Sequence, residues 1–160
     1  MAPTGRRGAA VLFAAAAAAY LFDRLTKVWV ESSLQGRPPI RLIPGVLDLR
    51  FTTNSGGAFS IGQRAPWLFA GATILVSVAI VVTAFRHTSL LTAAALGLVL
   101  GGALGNLTDR VVRGSSLNGR VIDFIDVHVW PVFNAADSAI VVGAALLALT
   151  AFRRPEPTDG

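Results

Sequence analysis

The sequence predicts an all-α membrane protein: four transmembrane helices with a small extracytoplasmic, β-containing loop region. Three observations predict it. Apolar residues make up 53% of the chain and charged residues only 14%, against roughly 25% charged in an average soluble domain. Three long stretches carry no charge, and a fourth is shorter and Ala-rich. Between the spans, one loop alternates apolar and polar residues with a period of two. A bilayer solvates apolar side chains, so this composition needs no large polar surface. The length of 160 residues suits one domain, 1–160.

The first span begins after Arg6-Arg7 and runs from Gly8 to Phe22, continuing toward Val28 with Asp23, Arg24 and Lys27 expected at the interface. A basic pair before an apolar run also fits a secretory signal peptide. Three further spans follow it, and a charged cluster replaces the polar cleavage region, which favours a retained helix. The remaining spans fall at about 65–85, 88–108 and 133–152, each near the roughly 20 residues needed to cross the hydrocarbon. The outer loops are then about 29–64 and 109–132.

Basic residues near span ends set orientation. Arg6, Arg7, Arg86, Arg153 and Arg154 lie in three very short segments. Both termini and the turn at Arg86–Ser89 are therefore expected in the cytoplasm. Asp23, Glu31, Asp48, Asp109, Asp123, Asp126 and Asp137 then collect on the outer side, which predicts a functional site there. The net charge of +5 comes from scattered Lys and Arg rather than one basic face, so nucleic acid is not an expected partner. The chain has no Cys, which excludes disulfides, thiolate nucleophiles and Cys-based metal sites.

Small residues recur every four positions in the third span (Gly97, Gly101, Gly105) and the fourth (Ala135, Ala139, Gly143). Such spacing lets helices approach closely in lipid, and it predicts packing of the third helix near the fourth. In the first outer loop, Leu47, Leu49 and Phe51 alternate with Asp48, Arg50 and Thr52, the pattern of a half-buried strand. Its apolar face could rest on the membrane, on a lipid-bearing substrate or on the protein's own helices. Pro38, Pro39 and Pro44-Gly45 punctuate the approach. Asn118-Gly119 suggests a tight hairpin before Val121-Ile122.

Asp137 is the most informative residue. It lies just inside the fourth apolar span, where an ionisable group is costly and marks function by default. Asn134 is expected on the same face. Asp123 sits in the apolar setting Val121-Ile122-Asp123-Phe124-Ile125. Two carboxylates brought together at a dry interface cannot both ionise cheaply, so one keeps a proton and the pair holds an acid and a base at once. Asn106, Asp109 and Arg110 close the third span and could support the site or simply cap the helix. Asn54 begins a Gly-rich turn where backbone could approach a ligand. Two other chemistries are weaker. Asp123, Asp126 and His128 match no zinc spacing, and no Ser is singled out as partner to Lys27. His87 is expected in the cytoplasmic turn.

Five segments together resemble the ordered motif series of bacterial lipoprotein signal peptidases (signal peptidase II). They are Asp23-Arg24-Leu25-Thr26-Lys27; Asn54-Ser55-Gly56-Gly57-Ala58-Phe59; Gly102-Ala103-Leu104-Gly105-Asn106-Leu107-Thr108-Asp109-Arg110; Val121-Ile122-Asp123-Phe124; and Phe133-Asn134-Ala135-Ala136-Asp137. The resemblance runs from about Leu21 to Ile140. It implies a bacterial plasma-membrane aspartic endopeptidase that cuts diacylglyceryl-modified prolipoproteins N-terminal to the lipidated Cys. It implies Asp123 and Asp137 as the catalytic pair, with Asn54, Gly105, Asn106, Asp109, Arg110 and Asn134 shaping the site or contacting substrate. Asp23 and Lys27 fall on a supporting first-helix motif. The resemblance implies no metal or organic cofactor; four helices can enclose the site, so a monomer suffices. Arg24 stands where the family usually has Gln, Gly57 where Ala is common and Thr108 where Ile is common. Without the resemblance, a transporter with an acidic path or a silent membrane scaffold would remain open readings.

Overall fold

The structure is a computed structural model that describes residues 5–55, 66–86, 88–115 and 117–152. Gly56, Gly57, Ala58 and Phe59 of the Gly-rich turn, His87, Arg153 and Arg154 lie outside the described residues. The elements run α1 (Gly5–Leu34), β1 (Ile40–Ile43), β2 (Leu47–Asn54), α2 (Pro66–Thr83), α3 (Leu90–Val112), β3 (Val121–Asp126) and α4 (Ala135–Phe152). Among the described residues, α1, α3 and α4 are long and apolar enough to cross a membrane, and α2 adds a shorter apolar stretch, Trp67–Thr83.

Helix α1 is longer than its expected span, because Glu31 to Leu34 continue it without a breaker until Gly36 takes a positive φ of 72°. Asp23 and Lys27, near the outer part of α1, are both fully buried against α3. Helix α3 starts where the Ser89 hydroxyl accepts the N–H of Thr92 at 3.1 Å, satisfying one of the donors a helix start leaves open. It runs past the expected end of its span, so Asp109 and Arg110 belong to the helix rather than to the loop.

Helices α3 and α4 pack together as expected, but the glycine stripe of α3 mainly serves a different neighbour. A Cβ at Gly97 would lie 2.3 Å from the Leu12 carbonyl oxygen, and one at Gly101 would lie 2.3 Å from that of Ala16. These glycines pack α3 on α1. The neighbouring Gly102 makes the approach to α4, where a Cβ would stand 2.4 Å from the Ala136 oxygen. A Cβ on Gly143 of α4 would stand 2.7 Å from the Ala95 carbonyl oxygen. Helix α3 is therefore the centre of the bundle, with small residues on two of its faces.

The alternating segment forms β2 as expected, the middle strand of an antiparallel sheet ordered β1-β2-β3. Leu49 and Phe51 pack against Val30 and Leu34 of α1 and against Ile122, Phe124 and Ala135. The apolar face of the strand thus covers the protein's own helices. Asn118-Gly119 does not make a hairpin. Gly119 instead donates its N–H to the Arg110 carbonyl at 3.1 Å, and Leu117 takes a positive φ of 68°. The segment folds back on the end of α3, and a Cβ on Gly119 would strike Arg110 O at 2.4 Å. β3 pairs with β2 from the other outer loop, with Asn54 opposite Val121 and Thr52 opposite Asp123.

Candidate active site

Five elements converge on one cavity of about 290 Å³, whose lining includes Asn54, Asn106, Arg110, Asp123 and Asp137. Each polar group arrives by a local cause. Asn134 stands immediately before α4, and its side-chain oxygen accepts the N–H of Asp137 at 2.9 Å. Asp137 returns the bond, its carboxylate accepting the Asn134 N–H at 3.2 Å. This reciprocal pair is a capping box, and it turns Asp137 toward the cavity at the helix start. The carboxylate also sits where the helix dipole favours negative charge.

Asp123 reaches the same place from the sheet. After β3 the chain reverses, with His128 at a positive φ of 60°, and runs back alongside the strand. Phe133 bridges Ile125, donating to its carbonyl at 3.1 Å and accepting from its N–H at 2.8 Å. That return sets Asn134 beside Asp123. The Asn134 amide donates to the Asp123 carboxylate at 2.7 Å and to the Asn106 carbonyl at 3.1 Å. Asn106 donates in turn to Asp137 at 2.8 Å. One buried asparagine, Asn134, thus touches both acids and also Asn106.

The electrostatics of Asp123 follow from this placement. Burial pushes its carboxyl up to about 7, and the neighbouring charge of Asp137 pushes it the same way; hydrogen bonds from Asn134 and Asn54 act in the opposite direction. Arg110 places a positive charge near both Asp123 and Asp137.

Asp109, Asp23 and Lys27 lie behind the cavity. Lys27 pairs with Asp23 and Asp109, both at 2.9 Å. Asp109 also meets Arg24 at 2.5 Å and Arg113 at 3.3 Å, and it accepts the Ile122 N–H at 3.2 Å. It therefore ties the strand bearing Asp123 to α3. Arg24, the departure from the family pattern, has a definite partner in Asp109. Asp23 accepts the Ala136 N–H at 3.0 Å, capping α4 from α1. Gly105 makes this possible, since a Cβ there would stand 2.4 Å from Asp23 Oδ2. Asp126 and His128 face elsewhere. Asp126 binds Arg50 at 2.7 Å, and His128 lies 3.4 Å from Asp48, so Asp123 does not share a cluster with them.

Sequence reasoning missed several of the lining residues: Phe69, Thr73, Trp130, Pro131 and Val132. Trp130 carried a usable signal, as an aromatic beside a span end. Phe69 and Thr73 did not, because they lie within an apolar helix. A second, more apolar cavity of about 480 Å³ shares Trp130, Phe133 and Asp137 with the first and adds Ser138, Val141 and Val142 of α4.

Comparison with known proteins accords with this geometry. The sequence profile of the family described as Signal peptidase (SPase) II matches residues 15–153. A lipoprotein signal peptidase of Streptomyces coelicolor is 44% identical over 157 residues, covering 98% of this chain and 76% of the relative. One from Syntrophomonas wolfei is 46% identical over 128 residues, covering 79% of this chain and 83% of the relative. A solved bacterial membrane enzyme, determined by the in meso method, superposes with a TM-score of 0.79 at 27% identity, covering 92% of this chain and 91% of that one. The chain belongs to the signal peptidase II family, a family of membrane proteases.

Proposed function

We propose that this protein is an aspartic endopeptidase that removes signal peptides from diacylglyceryl-modified prolipoproteins, cleaving on the N-terminal side of the lipidated Cys. The observation that carries the reading is the pair Asp123 and Asp137, bridged by Asn134 and lining one cavity among apolar helices. The carboxylate of the pair takes a proton from water as the water oxygen attacks the scissile carbonyl. The carboxylic acid protonates the carbonyl oxygen. Collapse of the tetrahedral adduct breaks the C–N bond, and a proton passes to the leaving amine. The signal peptide leaves with a new carboxylate, and the Cys keeps a free amine. No covalent enzyme intermediate and no cofactor is required.

Asn54 and Arg110 line the cavity and are suited to holding the substrate backbone. The adjoining apolar cavity on α4 suits an acyl chain. Four spans, with α2 as the fourth, form a single domain in the bacterial plasma membrane with both termini cytoplasmic and the site extracytoplasmic. The basic residues at the span ends support that orientation. The enzyme acts as a monomer.

The test is cleavage of a lipobox peptide by purified protein in detergent, with and without the diacylglyceryl group, wild type beside Asp123→Asn and Asp137→Asn. Cleavage before the Cys of the lipidated peptide, by wild type only, is expected. Failure of folded wild type to cut it, or normal cleavage by either variant, overturns the reading. A pH profile adds a signed expectation. The pair works with one proton, and Asp123 titrates near 7. Raising the pH through that region removes the proton, so kcat should fall on the alkaline side with an apparent midpoint near 7. The midpoint belongs to the pair rather than to one residue.

A further inference from the structure

We infer that Lys27 is a positioning residue for the reaction: by fixing the amide of Asn106 it holds Asp137 as the base of the pair and leaves the proton on Asp123. This rests on the dyad proposed above and goes beyond it by assigning the two roles.

Donors and acceptors around Lys27 fix the arrangement. An ammonium has three N–H donors and no acceptor. Three oxygens surround Lys27 Nζ: Asp23 Oδ2 at 2.9 Å, Asp109 Oδ2 at 2.9 Å and Asn106 Oδ1 at 3.0 Å. The side chain is fully buried, so no water can substitute for any of them. The Asn106 oxygen must therefore face Lys27, because turning the amide over would set two donors against each other. Its NH2 must then face Asp137, where it donates to Oδ1 at 2.8 Å.

The other carboxylate oxygen of Asp137 accepts the Asn134 backbone N–H, a donor that cannot be reversed. Both oxygens of Asp137 thus accept from fixed donors, and neither is favoured to carry hydrogen. Asn134 is oriented as rigidly, since its oxygen accepts the Asp137 N–H. Its NH2 therefore donates to Asp123 Oδ1 at 2.7 Å. Asp123 also accepts from the side-chain amide of Asn54, but among the described residues no main-chain N–H donates to its carboxylate, and its high titration range agrees with its being the acid.

The charges around this relay come from every packed element. Asp23 and Arg24 are on α1, Asp109 and Arg110 on α3, Asp123 on β3 and Asp137 on α4, with Arg113 and its partner Glu31 behind Asp109. Lys27 acts electrostatically on both Asp123 and Asp137.

The experiment is the pH dependence of kcat and KM for Asp23→Asn/Lys27→Met. This double change removes one charge of each sign. Asp109 keeps Arg24, Arg113 and the Ile122 N–H. In the folded variant the acid limb of the kcat profile should move up by about one pH unit. At the optimum kcat should fall about 10- to 100-fold, with KM changed less than threefold. Asn106→Leu, which spares the buried ion cluster, should move the same limb in the same direction. A folded double variant whose profile keeps the wild-type shape, losing only amplitude or changing only KM, overturns the inference. So does an unmoved acid limb in Asn106→Leu, which decides the matter if the double variant does not fold. Neither outcome touches the dyad reading, which stands or falls on Asp123→Asn and Asp137→Asn.

Discussion

Asp123→Asn should abolish peptide cleavage, lowering kcat by at least about 10⁴-fold, while making the protein more stable at alkaline pH. The first effect follows because an amide can neither give up a carboxylic proton nor take one from water. Asp137→Asn should lose activity to the same degree. The second effect separates a catalytic cost from a folding cost. In the folded protein Asp123 titrates near 7, against 3.8 for an ordinary Asp. The folded state therefore binds the proton more tightly than the unfolded one. The stabilisation this brings is complete below about 3.8 and is lost as the pH rises through about 7. Asn carries no charge to bury, so the stability of the variant relative to wild type should rise over that window. At pH 8 the gain should be about 1–3 kcal/mol. Thermal unfolding in detergent at pH 5 and pH 8 measures it. A variant that is inactive and also less stable at pH 8 would show that Asp123 is chiefly a structural group.

Gly101→Leu should prevent assembly of the bundle, and Gly101→Ala should cost about 2–3 kcal/mol. The Cβ of Ala would stand 2.3 Å from the Ala16 carbonyl oxygen and 2.8 Å from the Ala19 Cβ. The obstacle is helix backbone, so α1 as a whole must move away from α3. Lipid supplies little hydrophobic force to hold helices together, and close contact is most of what binds this pair. The shift would also pull Lys27 from Asn106, so activity should fall with stability. Gly71→Ala is the control. Nothing lies within 4 Å of its Cβ position, and within a helix Ala is favoured over Gly by about 0.5–1 kcal/mol. Tm in detergent should be unchanged or slightly raised for Gly71→Ala and sharply lowered for Gly101→Ala. Equal Tm values for the two would remove the close α1–α3 approach from the account.

Much of this protein is legible along the chain because the information is local. Long apolar runs with few or no charges mark the helices, and the period-two alternation at Leu47–Thr52 marks β2. A carboxylate inside an apolar span singles out Asp137, and the motif series points to Asp123 beside it. The partnerships are not local. The spacing of Gly97, Gly101 and Gly105 predicted a close helix neighbour but not that the neighbour is α1. Asn118-Gly119 read as a hairpin because its dipeptide suits one, yet the end of α3 supplies a better acceptor for the Gly119 N–H. Asp23 and Lys27 read only as charges at the interface end of the first span, with no partner named. Buried together with Asp109, each satisfies the other. Asn134 looked like a neighbour of Asp137 on one helix face, and its bridging of both acids depends on the return of the chain along β3. The sequence by itself determined the apolar helices, the strand and the acids available for chemistry. Tertiary structure alone decided which helices touch and which donors meet each of the two acids, because those follow from backbone contact and donor–acceptor matching between segments far apart in the chain.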